Sequence, residues 1–295
     1  MIEDDFYLSK TKVRASFEHA AKHYEKAAVL QREVGERMLN RLDLIRITPQ
    51  AILDVGAGTG LQSNQLTKRY KKSTVITLDL SYAMLLQARH NKRLFNKQCF
   101  VCADAEQLPV ATQSIDMVFS NLTLQWCNDL DHVFGEIRRI LKPGGLFMFS
   151  TLGPDTLKEL RESWRKVDQY NHVNAFMDMH DIGDALMRTN LADPVMDVEE
   201  ITLTYADVFK LMKDLKTLGA HNVTKGRPRG LTGKHRLQSM VAHYEAFRKN
   251  GLLPATYEVV YGHAWSGNRL PDTKNQITEI PITRIQHLPD NRKSS

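Results

Sequence analysis

Cysteine is scarce in this chain: Cys99, Cys102 and Cys127 are the only three in 295 residues. Three cannot build the framework of a disulfide-stapled secreted domain. Cys99 and Cys102 form a C-x-x-C pair, but no second pair accompanies it, so neither a structural zinc site nor any other metal is expected. In QCFVCAD they read as strand residues pointing to opposite faces, and all three are expected to be core thiols. Long apolar runs are also missing. None approaches the roughly 18 residues needed to span a bilayer, so no membrane partner is expected. The opening MIEDDFYLSK is acidic and has no apolar h-region, which argues against a secretory or mitochondrial leader and for a cytoplasmic location. No internal repeat is visible.

What remains is an ordinary globular composition, 42% hydrophobic and 25% charged, with a net charge of +6. The length allows one large domain carrying a substantial insertion. Positive charge is concentrated between Lys225 and Lys249, where seven Lys or Arg face a single acid, Glu245. An acidic partner is expected there. The absence of interleaved aromatics speaks against single-stranded RNA, and no nucleic acid partner is expected.

Lys10 to Arg46 has helical spacing, with Val29, Val34, Met38, Leu42 and Ile45 as its apolar stripe and Pro49 beyond its end. Strand candidates AILDV, STVITLD, QCFVCAD, SIDMVFSN and LFMFSTL then alternate with helices near 62–70, 83–96 and 130–141, the last stopped by KPGG. This alternation predicts an α/β fold with a parallel sheet covered by helices on both faces. Later come helices near 155–169 and 180–188, the strand VMDVEEITLTY, helices near 207–218 and 234–249, and a last strand TYEVVYGHAW. The expected organisation is a helical lid over 1–48, a core over 49–204, a helical insertion over 205–253, the last core strand over 254–265, and a flexible tail over 266–295.

The stretch ILDVGAGTGLQ, Ile52 to Gln62, ends an apolar run in Asp54 and places glycines at 56, 58 and 60. The dinucleotide fingerprint G-x-G-x-x-G requires its third glycine at 61, where this chain has Leu61. In an open parallel sheet, ligands bind beyond the carboxyl ends of the strands. There stand Asp54 with Gly56, Gly58 and Gly60; then Asp79 with Leu80; then Asp104 with Ala105; then Ser120, Asn121 and Leu122. Asp79 lies about twenty residues past the glycines, the place of an acid that accepts ribose hydroxyls.

In order and spacing, this set resembles the class I S-adenosylmethionine methyltransferases, whose signature is an acid-x-G-x-G-x-G turn. The resemblance implies a Rossmann-like seven-stranded sheet with helices on both faces, N-terminal helices and a helical insertion before the last strand. It implies S-adenosylmethionine as cofactor and S-adenosylhomocysteine as product. Asp54, Gly56, Gly58, Gly60, Asp79, Leu80, Asp104, Ala105 and Asn121 would bind the cofactor. HAAKHYEKAAVLQREV (His19–Val34), SNLTLQWCNDL (Ser120–Leu130), LKPGG (Leu141–Gly145), LKTLGAHN (Leu215–Asn222) and ATYEVVYGHAW (Ala255–Trp265) narrow it further. With these the chain resembles the malonyl-acyl-carrier-protein O-methyltransferases of biotin synthesis, over about residues 10–265.

That resemblance implies methylation of the free carboxylate of a malonyl thioester, carried on acyl carrier protein or on coenzyme A. No general base is needed and none stands out. Arg227 first and Arg229 second would hold the carboxylate, since guanidinium matches its geometry. Tyr24 would close over the cofactor, with His23 beside it on the helix surface. Gln125 and Trp126 would line the substrate mouth, and Tyr257 and Tyr261, two pleats apart, would face one cavity. Two rivals stay open. One is an arginine hydroxylase of the respiratory complex I assembly-factor type. The other is a non-catalytic cofactor-binding protein that uses its basic segment as a binding surface.

Overall fold

Strand alternation sends Ile52 to one side of the sheet and Leu53 to the other, and this division repeats across the molecule. The computed structural model describes residues 7–92, 97–220 and 233–267. Its first helices are α1 (Lys10–Ala20), α2 (Tyr24–Ala27) and α3 (Val29–Arg41). Then follow β1 (Ala51–Val55), α4 (Leu61–Arg69), β2 (Thr74–Asp79), α5 (Tyr82–Asn91), β3 (Gln98–Cys102), β4 (Ile115–Asn121), α6 (Leu130–Ile140) and β5 (Leu141–Leu152). The second half comprises α7 (Lys158–Arg165), α8 (Met179–Arg188), β6 (Leu191–Tyr205), α9 (Val208–Thr217), α10 (Lys234–Glu245) and β7 (Leu253–Ser266).

The sheet order is β3-β2-β1-β4-β5-β7-β6. The first five strands pair in parallel, but β7 is antiparallel to both β5 and β6. The five strands whose alternation with helices predicted a parallel sheet are parallel, and the two later strands make the whole sheet mixed. Hydrophobic alternation marks a strand without marking its direction, and β7 slots in between two strands that precede it in the chain.

On one face Ile52, Phe119 and Met148 pack against α3, α7, α9 and α10. On the other, Leu53, Val118, Phe147 and Phe149 pack against α6 and α8. Polar side chains start several helices: Ser81 accepts from Met84 N, Asp129 from His132 N, Asp178 from His180 N and Asp207 from Lys210 N.

The N-terminal helical stretch is broken twice, after Ala20 and at Ala28, which has φ −77° and ψ 45°. The buried stripe of α3 is Leu30, Val34 and Met38, continued by Leu42, at four-residue spacing; Val29 is 48% exposed. Cys99 and Cys102 are not core thiols: both lie exposed on β3, the edge strand, which pairs on one side only, with β2. Cys127 is half-buried and packs against the core. Among the described residues no cluster of His, Cys, Asp and Glu could hold a metal, and no helix is long and apolar enough to cross a membrane. Of the expected tail, only Ser266 and Gly267 are among the described residues.

Candidate active site

A cleft opens along the carboxyl ends of β1 to β4 and extends past β5 to β7 and α9. Its floor at one end is the glycine turn. Gly56, Gly58 and Gly60 all have positive φ, at 69°, 55° and 79°, a region that L side chains rarely adopt. The three serve different ends. A Cβ on Gly56 would lie 2.0 Å from Thr123 Oγ1, and one on Gly60 would lie 2.9 Å from Ala88 Cβ. These two glycines therefore let protein pack on protein. A Cβ on Gly58 would meet only Tyr24 Cε1, at 3.8 Å, so its backbone faces the cleft.

Asp79 ties the turn to the next strand end. Its Oδ2 accepts from Gly58 N and its Oδ1 from Ser81 N, both at 2.8 Å. The carboxylate is 8% exposed. Burial pushes its pKa up to about 6, against the pull of the two backbone donors. Beneath the turn runs a buried polar chain. Gln98 donates to Thr77 at 2.7 Å, Thr77 to Ser63 at 3.0 Å, and Ser63 to Asp54 at 2.5 Å. Burial pushes Asp54 up to about 7, partly offset by the Ser63 hydroxyl.

The N-terminal helices close this end. Lys10 Nζ reaches Asp104 Oδ1 at 3.0 Å and Glu106 Oε1 at 2.9 Å. Glu18 accepts from Tyr82 N at 2.8 Å and Ala83 N at 3.0 Å, a carboxylate on the N-terminus of α5. Tyr24 comes off the break before α2 and lines the cleft above Gly58. Burial, with Asp79 nearby, holds its hydroxyl well above the usual tyrosine range. His23 is exposed.

Leu80, Ala105, Asn121 and Gln125 line the cleft as well. Asn121 is held in place: its Nδ2 donates to Gln31 O at 2.9 Å and its Oδ1 accepts from Ser150 at 2.9 Å. Gln125 is fixed between Leu122 O and Thr151 Oγ1, at 2.8 and 3.1 Å. Trp126 also borders the cleft, but its packing is with the N-terminal segment, edge-on to Phe17 at 5.2 Å and beside Leu8, Val13 and Leu80. That places it at the glycine-turn end.

The far end is mainly apolar and aromatic, with Leu157, Phe176, Leu203, Tyr205, Leu218 and Tyr257 in its wall and Asp214 beside Tyr205 as a charged member. Tyr257 hydrogen-bonds with Tyr205, and burial raises both hydroxyls, that of Tyr205 to about 12. Tyr261 does not share this cavity. It lies on the same face as Tyr257 but opposite Ser150, about 13 Å farther along the strand. The Arg41 guanidinium lies 3.8 Å over its ring. Arg227 and Arg229 lie outside the described residues.

Several lining residues carried no motif signal. Lys10, Phe17, Asp214 and Asn174 belong to ordinary amphipathic or loop segments, and only the fold brings them to the cleft. The polar partners of Asp79 are backbone groups, which no side-chain pattern reports.

Comparison with known proteins agrees with this architecture. A methyltransferase domain family matches residues 53–149. The YcgJ protein of Bacillus subtilis superposes with a TM-score of 0.56 at 15% identity, covering 79% of this chain and 99% of that one. Phosphoethanolamine N-methyltransferase 2 of Haemonchus contortus, solved with S-adenosyl-L-methionine, superposes with a TM-score of 0.50 at 19% identity, covering 79% and 52%. These likenesses establish the fold. In sequence, the malonyl-[acyl-carrier protein] O-methyltransferase of Methylovorus sp. (strain MP688) is 55% identical over 95% of this chain and 98% of its own. The protein of the same name from Laribacter hongkongensis is 53% identical over 91% and 93%. With identity of this order along nearly its whole length, the chain belongs to the malonyl-[acyl-carrier protein] O-methyltransferase family.

Proposed function

We propose that this protein transfers the methyl group of S-adenosylmethionine to the free carboxylate of a malonyl thioester borne by acyl carrier protein or coenzyme A. The product is the malonyl methyl ester that primes pimeloyl and biotin synthesis. The observation that carries the reading is a single cleft with two unlike ends. One is a glycine turn closed by Asp79, and the other a mainly apolar wall of leucines and tyrosines. The whole-length kinship supports the same reaction and gives no support to arginine hydroxylation or a purely structural use of the cofactor.

The residues at the turn fit the cofactor. Gly58 leaves its backbone open to the cleft, and Asp79 has acceptor capacity left after its two backbone donors, as a ribose diol requires. Asp54, Gly56, Gly60, Leu80, Asp104, Ala105 and Asn121 complete the set by shaping the turn and strand ends. When bound, the cofactor supplies an electrophilic methyl on a sulfonium. The chain's own contribution is to position and dehydrate the acceptor. A malonyl carboxylate is ionised near pH 7, given carboxyl pKa values of about 4, so no side chain has to remove a proton. Tyr24 stands above Gly58, at the glycine-turn end. Gln125 and Tyr257 wall the acceptor side. Arg227, then Arg229, would hold the acceptor's charge, on the strength of their chemistry and place in the sequence.

The test is to offer malonyl carrier protein, malonyl coenzyme A and free malonate with the methyl donor, and to read products by mass. A gain of one methylene on a thioester supports the reading. No gain on either thioester, or a gain of oxygen on a protein arginine, overturns it.

A further inference from the structure

We propose that the outer face of α9, together with the turn joining α1 to α2, is the docking surface for an acidic carrier protein that feeds its acyl arm into the cleft. This rests on the thioester reading above and assigns the place where the carrier's body rests.

The two elements are neighbours. Helix α9 packs on α2, and Gly219, just past α9, approaches the α1 backbone so closely that a Cβ there would lie 3.0 Å from Ser16 O. Their inner sides wall the cleft, through Tyr24 and Ala27 on one element and Asp214, Leu215 and Leu218 on the other. Their outer sides carry Lys22 and Lys26, and Lys210, Lys213 and Lys216, all exposed. Lys210, Lys213 and Lys216 recur at three-residue steps, which keeps them on one side of the helix.

The acids of these elements are engaged elsewhere. Glu18 caps α5. Glu25 accepts from Asn91 Nδ2 at 2.7 Å. Asp207 caps α9 itself, and Asp214 faces the cleft. Among the described residues, none of the five lysines forms an ion pair. The result is a net positive rim, five unpaired lysines against Glu25, Asp207 and the inward Asp214. A protein that feeds an acyl arm into the cleft from the side of α2 and α9 lays its own surface on that rim. Unpaired lysines select an acidic surface and reject a basic one. Such contacts guide encounter and weaken with ionic strength.

The experiment measures binding apart from chemistry. Carrier protein bearing its phosphopantetheine arm without malonate is titrated into the wild type, into Lys213→Glu/Lys216→Glu, and into Lys71→Glu/Lys72→Glu. The last pair is exposed on the turn before β2, at the opposite end of the strands, and controls for net charge. The α9 variant is expected to bind at least about tenfold more weakly, with a flatter salt dependence, and the control to bind as the wild type does. Thermal melts of both variants verify folding. Equal binding by the α9 variant, equal loss in the control, or no binding by the wild type overturns the docking surface. If binding depends on α9 yet malonyl carrier protein gains no methyl, the docking surface stands and the reaction reading falls.

Discussion

Gly58 donates its backbone N–H to Asp79 Oδ2 at 2.8 Å, so the acid at the end of β2 buttresses the glycine turn after β1. The same carboxylate accepts from Ser81 N and thereby sets the start of α5. A change at Asp79 therefore acts on ligand and loop together. Asp79→Ala is expected to weaken S-adenosylmethionine binding about ten- to a hundredfold, from hydrogen bonds of roughly 1.5–3 kcal/mol each to a charged group. Calorimetric titration reads this directly, and an unchanged affinity removes Asp79 from the site.

The glycines separate by what surrounds them. Gly60→Ala would force a methyl against Ala88 Cβ at 2.9 Å and Cα at 3.2 Å, with φ at 79°. It is expected to cost about 1–3 kcal/mol of stability whether or not cofactor is present. Gly58→Ala meets nothing closer than 3.8 Å and should melt nearer the wild type while binding the cofactor worse. Chemical denaturation paired with titration distinguishes the two; identical profiles would refute the division.

The stability that Asp54 and Asp79 contribute to the cofactor-free protein should fall as pH rises from 5 to 8. His263 contributes in the opposite sense, since partial burial lowers the pKa of its imidazole. Asp54 and Asp79 have folded pKa values pushed up to about 7 and about 6, above the ordinary 3.8. A raised carboxyl pKa means that the folded state binds protons more tightly than the unfolded one. Its contribution is complete below the unfolded value and is lost as pH climbs through the folded value. Asp54→Asn, which leaves Ser63 an amide oxygen to donate to, should remove Asp54's share of that fall. Melting temperatures across the range decide it, and identical pH profiles for variant and wild type would contradict the assignment.

Lys10 ties α1 to Asp104 and Glu106, with all three side chains still 22–27% exposed. Pairs of that kind contribute about 0.2–1 kcal/mol. Lys10→Met should therefore raise KM for S-adenosylmethionine no more than about fivefold and leave kcat unchanged. Steady-state kinetics with saturating acceptor would show it, and a fall in kcat would place Lys10 nearer the chemistry than this tie.

The strand-end acids and the glycine turn were legible because strand and turn propensities fix backbone positions, and strand ends in this fold define the ligand edge. Depth along a strand was not. Tyr257 and Tyr261 share a face by period, yet Tyr261 pairs at the level of Ser150 while Tyr257 lies past the last residue of β5. Only Tyr257 lines the cleft, because pairing register rather than periodicity sets the level. Likewise, nothing in QCFVCAD distinguishes an edge strand from a central one, so the exposure of Cys99 and Cys102 emerged only with the strand order. The break that turns Tyr24 inward is similarly silent, since Ala20 to Tyr24 contains neither Gly nor Pro.

The reversed direction of β7 has a consequence for how such a protein can change its acceptor. Because β7 runs against β5, its first residues, with Tyr257 among them, lie level with the carboxyl ends of the parallel strands. The chain between β6 and β7 is thus delivered straight to the cleft's far end, whereas the glycine turn, Asp79 and Asp104 all belong to residues before 110. Most of the far-end wall thus follows β5 in the chain, with Gln125 and the N-terminal helices as the exceptions. A crossover placed in β5, whose hydrogen bonds to β7 are made by the backbone, would exchange that later wall and leave the glycine turn, Asp79, Asp104 and Gln125 in place.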